Sequence, residues 1–357
     1  MKATAALPRT QDLSEGALGI ALLHIERGDL ESARCSLSRA VAGGVSAGGN
    51  ASLFHGAPAL EFVLSRTGRV NRDVRTAVDR VVAARLAAAR RRQASGVLPH
   101  LAEFDLIRGL AGLGALLLTR DGTSPLLNEV LDYLVSLRRP IRTQGRELPG
   151  WWSDAGPAGE RLPGGHGNNG VAHGIAGPLA VLSLAARHGV HVQGQYEAIE
   201  VFARWLDKFG RCYWITRDQL SDPEPPETQV ARPSWCYGQL GIARTQQLAA
   251  VALNDPVRRR AAEDTVVRVL TDRPHLGKIT DASLCHGWGG LLTVARAVAD
   301  DSPTPDRYTT LIENLKGHLA AGLDRLSKSG FMEGRAGAQL ALDGTNTTGW
   351  TRALLIT

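Results

Sequence analysis

Gly238-Gln239-Leu240-Gly241, entered through Trp235-Cys236-Tyr237, decides how this chain folds, because it is one of seven near copies. The others are Gly16-Ala17-Leu18-Gly19, Gly56-Ala57-Pro58-Ala59, Gly109-Leu110-Ala111-Gly112, Gly174-Ile175-Ala176-Gly177, Gly287-Trp288-Gly289-Gly290 and Gly334-Arg335-Ala336-Gly337. Their first glycines follow one another at 40, 53, 65, 64, 49 and 47 residues. Each copy leads into a mostly apolar run, as a buried helix requires. Amphipathic stretches lie between them: Leu30 to Ala42, Asn71 to Arg92, Leu126 to Arg138, Tyr196 to Phe209, Pro256 to Thr271 and Tyr308 to Leu326. In the second, Val74, Ala77, Val78, Val81 and Val82 share one helical face.

Self-similarity at this period marks a repeated supersecondary unit. Here the unit is an inner apolar helix and an outer amphipathic one, and seven copies predict about fourteen helices. An open solenoid needs polar caps on its end repeats, yet the first and last copies are as apolar as the middle ones. The expectation is therefore an all-α fold closed on itself, an α/α toroid with inner helices ringed by outer ones. The glycines read as architecture, allowing a tight turn into each inner helix and close approach of neighbouring helix ends.

A chain of 357 residues with 43% apolar, 21% charged and only 5% aromatic residues can bury a large helical core. We read residues 1–357 as a single domain. Two segments break the repeat, Thr143 to Gly170 with Trp151 and Trp152, and Arg211 to Pro233 with Asp222-Pro223-Glu224-Pro225-Pro226-Glu227. Both precede repeat motifs, so both are expected as irregular loops on one rim, at about 143–170 and 211–233. The Trp pair fits either a contact for a flexible peptide or a structural tether. No alternating pattern is long enough for a β domain. The first residues lack the apolar core of a signal peptide, and no run of eighteen apolar residues offers a membrane span. A reducing cytoplasm is expected, where the four cysteines serve metal or catalysis rather than disulfides. The net charge of +6 includes Arg90-Arg91-Arg92 and Arg258-Arg259-Arg260, which on helices read as solvated faces. No nucleic-acid motif accompanies them.

Cys236 stands two residues before its glycine, Cys285 occupies the same place in the next copy, and His286 follows it. Equivalent positions of adjacent repeats are neighbours in a ring, so two thiols and an imidazole should converge. That is a three-ligand zinc site with one position open for chemistry. Two thiolates and a neutral imidazole leave Zn2+ neutral overall and suited to sulfur as fourth ligand. A thiol bound there loses its proton near neutral pH.

These motifs, with Ala172-His173-Gly174-Ile175-Ala176-Gly177-Pro178 upstream and Gly349-Trp350-Thr351-Arg352-Ala353-Leu354-Leu355 at the end, resemble the lanthionine synthetase C family from Leu13 onward. The resemblance implies a seven-repeat toroid with zinc at one mouth, in the stand-alone form of class I lanthipeptide biosynthesis. It implies a cyclase that adds cysteine thiols of a dehydrated precursor peptide to dehydroalanine or dehydrobutyrine, giving thioether rings. It also implies a complex with a dehydratase and a transporter, which would place the protein peripherally at the membrane.

On the same resemblance His173 becomes the acid that protonates the enolate, and a histidine can do so near neutral pH. Asp105 matches the family's active-site aspartate and would orient His173; as a plain residue it also suits a helix cap. Arg232 would stabilise the enolate oxygen, and Tyr237 would hydrogen-bond near the metal-bound sulfur. His55 shares the register of His173 but is read as structural, since its motif lacks the second glycine. His166 is left open, and Cys35 and Cys212 are read as ordinary buried thiols. A glycosidase on such a barrel would need two carboxylates, and only Asp105 is in register. A non-catalytic scaffold, or an enzyme adding glutathione to dehydroamino acids, remains the alternative on the same fold.

Overall fold

The structure is a computed structural model and describes residues 10–120, 124–143, 145–221 and 232–357. The acidic, proline-rich run Asp222 to Glu227 lies outside the described residues. Seven helices follow the seven glycine motifs: α1 (Ala17–Glu26), α3 (Ala57–Ser65), α6 (Leu110–Leu117), α8 (Ala176–Arg187), α11 (Gln239–Leu253), α14 (Trp288–Asp301) and α16 (Arg335–Asp343). Each packs on the next in that order, and α16 packs back on α1. The ring is closed. Outside it lie α2 (Leu30–Val41), α4 (Arg72–Ala94), α7 (Pro125–Ser136), α9 (Gln195–Phe209), α12 (Pro256–Thr271) and α15 (Thr309–Gly322), each against its inner partner.

Inner helices such as α6 are buried all round, whereas α4 buries only Val78, Val81, Val82, Leu86 and Ala89. One apolar core runs from Leu13 to Ile356. The described residues hold sixteen α-helices rather than fourteen. Three are single turns, α5 (Leu101–Phe104), α10 (Arg217–Leu220) and α13 (Arg273–Leu276). After α16 comes a 3-10 turn, Trp350–Leu354, in place of a seventh outer helix. No described helix is long and apolar enough to cross a membrane.

The approach loops, not the helices, set the ring's register. The Leu13 N–H donates to Phe54 O, Leu106 to Ala172, Ala172 to Cys236, Cys236 to Cys285, Cys285 to Met332 and Met332 to Ser14. Six of the seven joins between successive repeats are thus made backbone to backbone around one mouth, the join from the second to the third excepted. The second glycine of six of the seven motifs makes this possible, Ala59 standing there in the other. A Cβ on Gly241 would lie 2.0 Å from Trp235 O, and one on Gly290 2.1 Å from Leu284 O. The close approach is therefore mainly to the helix's own entry loop, more than to the neighbouring helix end that the sequence suggested.

All inner helices point the same way, with their N-termini at this mouth. The last residues fill the inside of the ring beneath this mouth. Trp235 Nε1 donates to Leu354 O and Arg244 Nε on α11 to Ile356 O, while Arg66 beside α3 donates to Thr348 O. The same segment packs on α6. One segment touches inner helices on opposite sides of a ring only by lying within it.

The segment from 143 to 170 corrects the expectation of irregular loops. A hairpin of β1 (Ile141–Thr143) and β2 (Arg146–Leu148) is followed by a three-stranded antiparallel sheet, β3 (Ser153–Ala155), β4 (Arg161–Asn168) and β5 (Trp214–Thr216). β5 comes from the second irregular segment, so the two do share a rim, joined by the pairs His166–Thr216, Gly167–Ile215 and Asn168–Trp214. Trp151 and Trp152 are tethers. Trp151 packs edge-on against Phe202 and Trp205, and buried Trp152 donates its indole N–H to Gly164 O.

Candidate metal centre and proton site

Cys236, Cys285 and His286 converge as their register requires, their ligand atoms all within 4.8 Å of one another. A zinc ion bonded at about 2.3 Å to sulfur and about 2.1 Å to nitrogen spans slightly shorter separations, within reach of small side-chain adjustments. The donor set fits zinc on chemical grounds as well, being soft and mixed S/N. The pair of thiols already shares a proton. The hydrogen bond from Cys285 outweighs burial and, with Ser234, His286 and Arg232, brings Cys236 down to about 6, while Cys285 is pushed up. Ser234 Oγ lies 3.5 Å from Cys236 Sγ.

Asp281 completes the cluster and was not singled out in the sequence. Its Oδ2 stands 3.1 Å from His286 Nε2, and its Oδ1 accepts from Ser283 N. This hydrogen bond raises the His286 pKa despite burial and leaves Nδ1 as the nitrogen available to a metal. Metal-bound histidines commonly carry such a partner, so a carboxylate on the same loop was the signal to look for.

His173 Nδ1 lies 2.7 Å from Asp105 Oδ2. Asp105 is fully buried, and its other oxygen accepts from the backbone N–H groups of Arg108 and Gly109. Asp105 thus does not cap α6, whose N-cap is Gly109 without a side-chain cap; one of its oxygens ties the turn into Gly109 and the other holds His173. His173 is one-fifth exposed, and its Nε2 has no hydrogen-bond partner among the described residues. The first two repeats carry a looser copy: His55 Nδ1 is 3.8 Å from Asp12 Oδ2, and its Nε2 is engaged by Asn50.

The Tyr237 hydroxyl accepts from Asn168 Nδ2 at 3.3 Å, its ring stands 6.2 Å from that of His173, and burial raises its pKa. Arg232 sits beside the thiols, its backbone N–H donating to Tyr213 Oη and its charge helping to hold Cys236 deprotonated. His166 is buried on β4 between Ser153 O and Asn168. Cys212 is buried as expected, but Cys35 is exposed, because it falls on the solvent side of α2.

A closed ring of paired helices with two thiols and an imidazole at one mouth defines an α/α toroid bearing a candidate metal centre. The lanthionine synthetase C-like protein family model matches residues 8–355, and the chain belongs to that family. It is 25% identical over 280 residues to the nisin biosynthesis protein NisC of Lactococcus lactis subsp. lactis, covering 71% of this chain and 64% of that protein. The structure matches that of nisin cyclase with a TM-score of 0.79 at 20% identity, over 98% of this chain and 93% of the other. The chain thus spans a little under two thirds of its curated relative in sequence, and the fold is the same toroid.

Proposed function

We propose that this protein is a zinc-dependent lanthipeptide cyclase, joining cysteine thiols of a dehydrated precursor peptide to dehydroalanine or dehydrobutyrine. The observation that carries the reading is the shared mouth: Cys236, Cys285 and His286 face it from one side, and the His173–Asp105 pair stands two repeats earlier. A zinc ion held by the three ligands would supply an acidified substrate thiol at its fourth position.

The residues of the chain account for the rest. Attack forms a bond from sulfur to the β-carbon, the double-bond electrons move onto the carbonyl oxygen, and the α-carbon needs a proton. His173 delivers it from Nε2, since Nδ1 is held by Asp105. The buried carboxylate fixes the tautomer and steadies the imidazolium before the transfer. Arg232, beside the thiols, would stabilise the developing oxyanion, and Tyr237 would serve near the metal-bound sulfur. The parallel inner helices turn their N-termini, and the positive ends of their dipoles, toward the same place. The test is incubation of the zinc-loaded protein with a dehydrated precursor, following loss of free thiol. Rings formed without added glutathione support the cyclase. Consumption of glutathione with no ring formed would make it a glutathione-adding enzyme instead.

A further inference from the structure

His166 and Asn168 are buried at the end of β4, and the reaction assigned to the mouth makes no use of either. The direction of each of their hydrogen bonds follows from what the atoms are able to do. Ser153 O is a carbonyl and only accepts, so His166 Nδ1, 3.0 Å from it, carries a proton. Burial lowers the His166 pKa, outweighing Ser153 O and the charge of Glu160. The ring is therefore neutral, and its Nε2 is a bare acceptor.

Asn168 Oδ1 accepts from Gly170 N at 3.1 Å, which leaves the amide NH2 for the other side. Turning the amide over would set NH2 against the Gly170 N–H, so the backbone fixes its orientation. The NH2 faces His166 Nε2 at 3.4 Å and Tyr237 Oη at 3.3 Å, one proton for each. Tyr237 Oη thus accepts, and its own proton has no acceptor among the described residues. The ring is held in place. A Cβ on Gly170 would lie 2.7 Å from Tyr237 Cδ1, and Tyr213 stands edge-on to it at 5.5 Å. Tyr237 follows Cys236 directly and has the register place between His173 and His286, each one residue before its motif's first glycine.

We propose that Asn168 and His166 are positioning residues that commit the Tyr237 O–H as a donor to the metal-bound sulfur of the substrate. This rests on the cyclase reading above. A tyrosine beside an asparagine ordinarily has a carbonyl oxygen to donate to; here that oxygen is taken by Gly170, and His166 accepts the second amide proton. A hydrogen bond to a thiolate holds the sulfur before attack and weakens as charge leaves it, so it contributes to binding more than to the chemical step.

The hydrogen-bond relay is tested without substrate, by nitrogen NMR of the full, zinc-loaded chain carrying isotope-labelled histidine. Signals lost in His166→Gln identify the ring. A neutral imidazole protonated at Nδ1 is expected; protonation at Nε2, or at both nitrogens near neutral pH, would overturn the proposal. Ring formation tests the consequence. Asn168→Asp keeps the shape and the acceptor for Gly170 N but presents oxygen to Tyr237, turning the hydroxyl proton inward. KM for the dehydrated precursor should rise about tenfold, as in Tyr237→Phe, with kcat changed less, and the double variant should lose no more than either single one. A wild-type KM in Asn168→Asp, or losses that multiply in the double variant, would also overturn it. A wild-type protein that forms no rings refutes the cyclase reading instead, and the His166 tautomer still decides the relay.

Discussion

His173 Nδ1 and Asp105 Oδ2 stand 2.7 Å apart, although 68 residues separate them in the chain. Two adjacent repeats supply one residue each, and the backbone bond from Leu106 N to Ala172 O beside them fixes the distance. The same join that closes the ring also assembles the pair.

Removing the imidazole should therefore cost catalysis and little else. His173→Asn is expected to cut ring formation by about 10²- to 10⁴-fold while zinc content and melting temperature stay near wild type. A variant that still closes rings at wild-type zinc occupancy would leave His173 as packing.

Asp105 should separate its two duties by substitution. Asp105→Asn keeps an acceptor for the Arg108 and Gly109 amides but loses the charge on His173, so activity falls with the fold intact. Asp105→Ala also strands the buried Gly109 N–H, at about 1–3 kcal/mol, and frees the part-buried Arg108 N–H. Urea denaturation beside the thiol assay distinguishes the two, and equal stability of both variants would contradict the assignment.

At the metal, Asp281→Asn should lower zinc affinity about 10- to 100-fold, the usual effect of losing a partner of a ligating histidine. Competition with a chromophoric chelator measures this. Cys236→Ala/Cys285→Ala should abolish binding, and retention of zinc by that double variant would show that the ion sits elsewhere.

Gly241→Ala tests the loop geometry. Alanine normally gains about 1 kcal/mol over glycine inside a helix, and Gly317→Ala on α15, with open space around its Cβ, should behave so. At Gly241 the new carbon would lie 2.0 Å from Trp235 O. A loss of about 3 kcal/mol or more is expected, with weaker zinc binding because Trp235 leads into Cys236.

Acid should act through Asp301. Burial pushes its pKa up, but Arg187 and Arg244 outweigh burial and hold it at about 2. A depressed carboxylate stabilises the fold above its unfolded value and stops doing so as pH falls through its folded one. Stability should thus decline between about pH 4 and pH 2. Asp301→Asn should be less stable at neutral pH and lose that part of the slope in thermal melts.

The helical ring and the convergence of Cys236, Cys285 and His286 were legible because both depend on register, and register survives in sequence as spaced glycines. The sheet was not. β4 reads Arg161-Leu-Pro-Gly-Gly-His-Gly-Asn168, with few residues of strand preference, and it is held by partners such as β5, some fifty residues away. The partner of Tyr237 was hidden for a related reason: its place beside Cys236 is local, but Asn168 comes from that sheet. The exposed side of Cys35 follows from the helical phase of α2, whose buried positions are Ala33, Ser36 and Ala40.

The tail from Trp350 to Ile356 turns the ring into a cup with a floor. A polypeptide working at its rim cannot be reeled through from one side to the other. On the proposed reading, a precursor peptide would have to dip in, react and withdraw by the way it came, and a looped product could not become strung on the protein like a bead on a thread.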